Sequence, residues 1–173
     1  PGLRLASFGG WRPLAGRRCM GGHALVAECR RLGVEPGADW PERALVAAEV
    51  GRFWAPPGGD PATPPPHSTG AAVDLTLADG SGAPLPMGGA IDAIGPISEP
   101  AFHAAAARLD PGGEAARWHR HRHWLAEAMA AAGVFQHPNE WWHFSWGDQL
   151  WAWRSGASQA RYGRVGKEEG SEI

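Results

Sequence analysis

The chain is poor in cysteine, nearly without lysine, and free of long apolar runs. Its only cysteines, Cys19 and Cys29, stand ten positions apart. On one continuous helix they would lie roughly 15 Å apart at about 1.5 Å of rise per residue, beyond the span of a disulfide. Gly21-Gly22 between them offers a break, so the spacing favours free thiols without requiring them. Two cysteines are compatible with a reducing compartment. Lys167 is the one lysine among 16 basic residues. With alanine, glycine and proline so abundant, this is a compositional bias and not a sign of arginine-specific chemistry. No apolar stretch approaches the ~20 residues of a membrane-spanning helix. A dominant charge is missing too: the net charge is -2 and the pI about 6.5. Nothing here marks a nucleic-acid or polyanion partner.

What is present suits one domain with a real core: 173 residues, 43% hydrophobic and 20% charged. Leu3 to Phe8 alternates apolar with small or polar residues and meets Gly9-Gly10, which predicts a strand and a turn. Leu25, Val26, Cys29 and Leu32 fall at helical spacing, and Gly33 ends that helix. Pro41 opens a short helix to about Val50. A proline-rich loop from about Ala55 to Pro66 is stiff, because proline fixes φ, and it brings the chain extended to His67. Val73, Leu75 and Leu77 alternate with Asp74 and Thr76, a strand that Asp79-Gly80 ends. Helical patterning covers Glu99 to Leu109, and a longer helix runs from about Glu114 to Ala132, stopped by Gly133. Glu140–Trp146 and Gln149–Trp153 read as two short strands around Gly147-Asp148. The predicted class is α+β, a small, largely antiparallel sheet flanked by helices. The domain is expected over residues 1–154, with residues 155–173 a mostly flexible tail.

Two imidazoles and two carboxylates stand out from this frame. His67 precedes Asp74 by seven positions across Gly70-Ala71-Ala72, which are small enough to let the backbone close around an ion. Asp74 is a carboxylate in an otherwise apolar strand and needs a base or a metal as partner. Taken singly, His67 reads as well as a loop cap and Asp74 as its polar neighbour. Downstream stands Glu140-Trp141-Trp142-His143. Five of the ten tryptophans lie within residues 141–153, so Glu140 and His143 are polar exceptions in a core segment. Three protein ligands with a fourth position left to water describe a catalytic zinc site, whereas a structural one is closed by four. His67, Asp74 and His143 would hold the zinc, and Glu140 would move the proton of its water. Arg12, between Trp11 and Pro13, is a candidate for the developing oxyanion, and equally a surface arginine stacked on Trp11. The run Arg117-Trp118-His119-Arg120-His121-Arg122-His123 reads as a solvated basic helix face. His23, His103 and His137 have no partner spacing and read as structural or exposed.

Together His67-x-x-Gly70-x-Ala72-x-Asp74, Glu140-x-x-His143, Trp11-Arg12-Pro13 and Pro86-Met87-Gly88 with Asp92 resemble the D-alanyl-D-alanine dipeptidases of the vancomycin-resistance type, within the zinc D,D-peptidases. The likeness runs from about Leu5 to Trp153. It implies one Zn2+ on His67, Asp74 and His143, Glu140 as catalytic base, and Arg12 on the tetrahedral intermediate. It also implies that Asp92 binds the free amino group of a small D,D-dipeptide. Two departures stand beside it. The family motif begins with serine where this chain has Pro65, so one substrate hydrogen bond is lost or supplied elsewhere. Members carry a substantial segment before the Trp-Arg-Pro motif, where only eleven residues precede Arg12 here, which implies a fragment or a more open pocket. A D,D-carboxypeptidase of peptidoglycan stem peptides and a non-catalytic zinc-binding module for wall peptides are the rival readings. Asp92 argues against the first and Glu140 against the second. A cytoplasmic location is expected, with a periplasmic one as alternative.

Overall fold

A computed structural model describes residues 2–37, 39–53 and 62–166, without the side chains of residues 14, 15, 17 and 18. In chain order it contains β1 (Arg4–Gly9), α1 (Leu14–Arg31), α2 (Pro41–Phe53), a 3-10 turn (Pro66–Thr69), β2 (Ala72–Ala78), a second 3-10 turn (Pro96–Ser98), α3 (Ala104–Leu109), α4 (Glu114–Ala131), β3 (Phe135–Gln136), β4 (His143–Ser145) and α5 (Gln149–Ser155). The strands form one open antiparallel sheet in the order β1-β2-β4-β3. The fold is α+β.

Alternation along β2 sorts its side chains to opposite faces. Leu75 and Leu77 join Met87, Leu125, Met129, Trp141, Trp142 and Phe144 in the main core, with α4 against the sheet. Leu125 and Phe144 are fully buried, each worth roughly 1.5–3 kcal/mol of transfer free energy. Asp74 and Thr76 therefore point to the other face, where the chain places its ionisable groups. A smaller core of Cys29, Val46 and Val50 joins α1 to α2. Both cysteines lie on α1 and are free thiols. Among the described residues no helix is long and apolar enough to cross a membrane.

Several expectations are corrected. Gln149–Trp153 is helix α5, not a strand. The Asp148 side chain caps it by accepting from the Trp151 amide at 2.9 Å, and Gly156, at φ 73°, ends it. Two tryptophans two apart satisfy a strand pattern, but on this helix Trp153 is left 68% exposed. The expected strand Glu140–Trp146 shrinks to β4, with Glu140–Trp142 in the turn before it. Helix over Glu99–Leu109 is realised only as α3. His67 sits on a single 3-10 turn and not on extended chain. Of the proline-rich loop, residues 55–61 lie outside the described residues. The basic face of α4 is not wholly solvated: His121 and Arg122 are buried and bond to the carbonyls of Pro86, Met87, Glu99 and Ile97. Beyond Ser155 the chain is bound back as far as Val165. Arg161 and Tyr162 donate to the Gly147 carbonyl at 2.7 and 3.0 Å, and Val165 to that of Ser68 at 2.9 Å. Residues 167–173, the rest of the expected tail, lie outside the described residues.

Candidate active site

Strand register brings the distant residues together. Asp74 on β2 pairs directly with His143 on β4, and paired residues of adjacent strands present neighbouring side chains on one face. The 3-10 turn leading into β2 supplies His67, and Gly70, at φ 74°, lets the chain reverse there. His67 Nδ1 lies 2.8 Å from the Gly10 carbonyl oxygen. A carbonyl only accepts, so Nδ1 carries the hydrogen, which leaves the inward-facing Nε2 as the ring nitrogen that can bind a metal. That Nε2 is 3.3 Å from Asp74 Oδ1 and 3.0 Å from His143 Nδ1. His143 Nδ1 is 3.2 Å from the same Oδ1.

All three side chains are buried, and their ligand atoms lie within 4.8 Å of one another. Asp74 Oδ1 is buried and accepts no well-formed hydrogen bond among the described residues. An orphaned, buried carboxylate oxygen facing two imidazole nitrogens is the donor set of a metal ion. Burial pushes the Asp74 carboxyl up, but His143 and His67 pull it down further, to well below the usual carboxylate range. Burial pushes His143 down. Both groups are thus held in the forms that bind a cation.

The other expected residues surround this cluster. The Arg12 guanidinium pairs with Asp74 Oδ2, and the Arg12 amide donates to the His67 carbonyl at 3.0 Å. Gly9 makes room for that pair, since a Cβ there would sit 3.0 Å from Asp74 Oδ2. Arg12 thus takes the second oxygen of the carboxylate and leaves Oδ1 to the two imidazoles. Glu140 is buried, with Oε2 3.6 Å from His143 Nδ1. Trp142, 2% exposed, lines the cavity and meets the equally buried Trp141 edge to face behind it. Asp92 lines the same cavity from its loop, at a positive φ of 63°. A non-glycine residue there costs of order 1–3 kcal/mol, which surrounding contacts must offset.

The cavity, about 90 Å³, also takes in Arg52, Phe53 and His137. Sequence reasoning assigned none of these to the site. Arg52 and Phe53 end α2 and carry no motif. His137 did carry a signal, three residues before Glu140 in a segment rich in functional groups.

Burial also sets a pH dependence. His137 is pushed down to about 4, chiefly by burial and then by the charge of His143, and burial pushes His103 down as well. A histidine whose folded pKa lies below its unfolded value of about 6.5 contributes stability that is full above that pH and is lost as pH falls towards the folded value. The urea midpoint of the metal-free protein is expected to fall between pH 7 and pH 4.5, and less steeply in His137→Gln. A midpoint flat across this range would contradict the burial of these rings.

An α+β scaffold that gathers two imidazoles and a carboxylate from separate segments, with a glutamate beside them, is a metal-capable enzyme centre. Residues 3–161 match the model of the peptidase family M15, described as D-ala-D-ala dipeptidase. Over 177 residues, covering 95% of this chain and 70% of the relative, it is 38% identical to the D-alanyl-D-alanine dipeptidase of Synechocystis sp. (strain ATCC 27184 / PCC 6803 / Kazusa). The chain belongs to this M15 peptidase family and is an enzyme of the dipeptidase type.

Proposed function

We propose that this chain hydrolyses D-alanyl-D-alanine, or a closely similar D,D-dipeptide, with one zinc ion held by His67, Asp74 and His143. The observation that carries the reading is the convergence of those three donors at separations of 3.0–3.3 Å. Ligands about 2.0–2.1 Å from a common tetrahedral centre stand roughly 3.3 Å apart, and three of them leave one position open. When bound, zinc supplies Lewis acidity and brings the pKa of water near 7.

The chain's own residues account for the rest. Glu140 accepts the proton of the attacking water and hands it to the departing amine. Arg12 places a cation, fixed by its pairing with Asp74, where the carbonyl oxygen gathers charge. Asp92 offers a carboxylate to the free amino group and so measures the substrate from its N-terminus. Cavity size supports a dipeptide over a long stem peptide, because about 90 Å³ is well below the roughly 300 Å³ at which drug-sized pockets begin.

D-Ala-D-Ala turnover by the zinc-loaded protein is expected to vanish with a chelator and return with zinc. A pentapeptide stem is expected to be cleaved far more slowly. Stoichiometric zinc without turnover of any D,D-peptide would favour a binding module instead.

A further inference from the structure

Among the polar side chains of the cavity, His137 has no part in the hydrolysis described above. We propose that His137 donates a hydrogen bond from Nε2 to the reacting carbonyl oxygen, sharing with Arg12 the site where negative charge develops; this rests on the peptide-hydrolysis reading.

The tautomer follows from geometry. His137 Nδ1 lies 3.2 Å from the Asn139 amide nitrogen. A backbone amide only donates, so Nδ1 holds the lone pair and the neutral ring carries its hydrogen on Nε2. Among the described residues nothing accepts from Nε2, and the ring lines the cavity. The ring is also fixed in place. The His137 amide donates to the His143 carbonyl at 2.9 Å, and the two imidazoles meet edge to face with centroids 5.4 Å apart.

Sheet order supplies the rest. Arg12 follows β1 and His137 follows β3, the two ends of the order β1-β2-β4-β3, while Asp74 and His143 lie on the strands between. A carbonyl at the centre of the donor cluster is therefore flanked by a donor from each side. The two donors differ usefully. Arg12 is partly neutralised by Asp74, and a neutral N–H adds a hydrogen bond without placing a second positive charge beside a cation. Preorganised donors aimed at developing charge act on the transition state more than on the bound substrate.

The test uses the full zinc-loaded chain with His137→Phe, His137→Asn and His137→Gln. Phenylalanine keeps the ring without a donor, asparagine places its amide near Nδ1, and glutamine places its amide near Nε2. We expect kcat on D-Ala-D-Ala to fall about 10²-fold in the Phe and Asn variants, with KM within about threefold. Glutamine is expected to recover about tenfold or more. Zinc content should match the parent protein, and the affinity for a phosphinate isostere of the dipeptide should weaken in parallel with kcat. Unchanged kcat in His137→Phe, a loss confined to KM, or no advantage of Gln over Phe would overturn the assignment. A parent protein that hydrolyses no D,D-dipeptide would instead remove the underlying reading, and the assignment with it.

Discussion

Glu140→Gln is expected to lower turnover about 10²–10⁴-fold while the metal stays bound. Glutamine matches the volume of glutamate and can still hydrogen-bond, but it cannot take a proton from water. The position leaves little for solvent to do in its place. Glu140 is 8% exposed, 3.6 Å from His143 Nδ1, and adjacent to two tryptophans that are each 2% exposed. A buried base is not readily replaced by bulk buffer. Metal analysis alongside steady-state kinetics checks the assignment. Activity within about tenfold of the parent would remove Glu140 as the base. Loss of metal together with turnover would make it a ligand.

The second large effect is on stability. Arg122→Met is expected to cost about 3–5 kcal/mol, because it strips the donor from three backbone carbonyls at once and each acceptor left buried without a partner costs about 1–3 kcal/mol. Arg122 is 2% exposed, donates to the carbonyls of Met87, Glu99 and Ile97 at 2.8–3.0 Å, and lies over the Trp141 ring at 5.2 Å. Burial pushes its pKa down to about 10, still high enough to keep it charged. Methionine fills much of the space but leaves the three acceptors to find other donors. The three carbonyls lie at both ends of the loop that carries Asp92, so substrate affinity should weaken with stability. At about 2–4 °C per kcal/mol for a chain of this size, the melting temperature should drop by roughly 6–20 °C. A variant within about 1 kcal/mol of the parent would show that the loop is held by other contacts.

Arg122 also shows where sequence reading fails. In the run Arg117 to His123 every residue but Trp118 is arginine or histidine, and the pattern describes a wet helix face. The helix turns by about 100° per residue, so neighbouring basic residues point to different surroundings. His121 and Arg122 meet carbonyls of the loop after β2, while His123 stays exposed. No local pattern states that such carbonyls are waiting. The same limit kept His137 out of the predicted site, because the cavity that it lines is built by other segments. It also misread Gln149–Trp153, where the cap at Asp148 and the stop at Gly156 were the better guide than alternation of two tryptophans.

The sequence alone determined the donor types and the strand that carries one of them. A carboxylate in the apolar run Val73–Leu77 has to face a partner, and Glu140 and His143 are conspicuous in a tryptophan-rich core. Tertiary structure alone decided which groups share a centre. Asp74 and His143 are 69 positions apart in the chain yet are paired partners across two strands, and only that register puts their side chains on one face. A slip of one residue would send either of them to the opposite face, into the apolar core. Local sequence specifies the chemistry each side chain can offer, and long-range pairing specifies which of them act together.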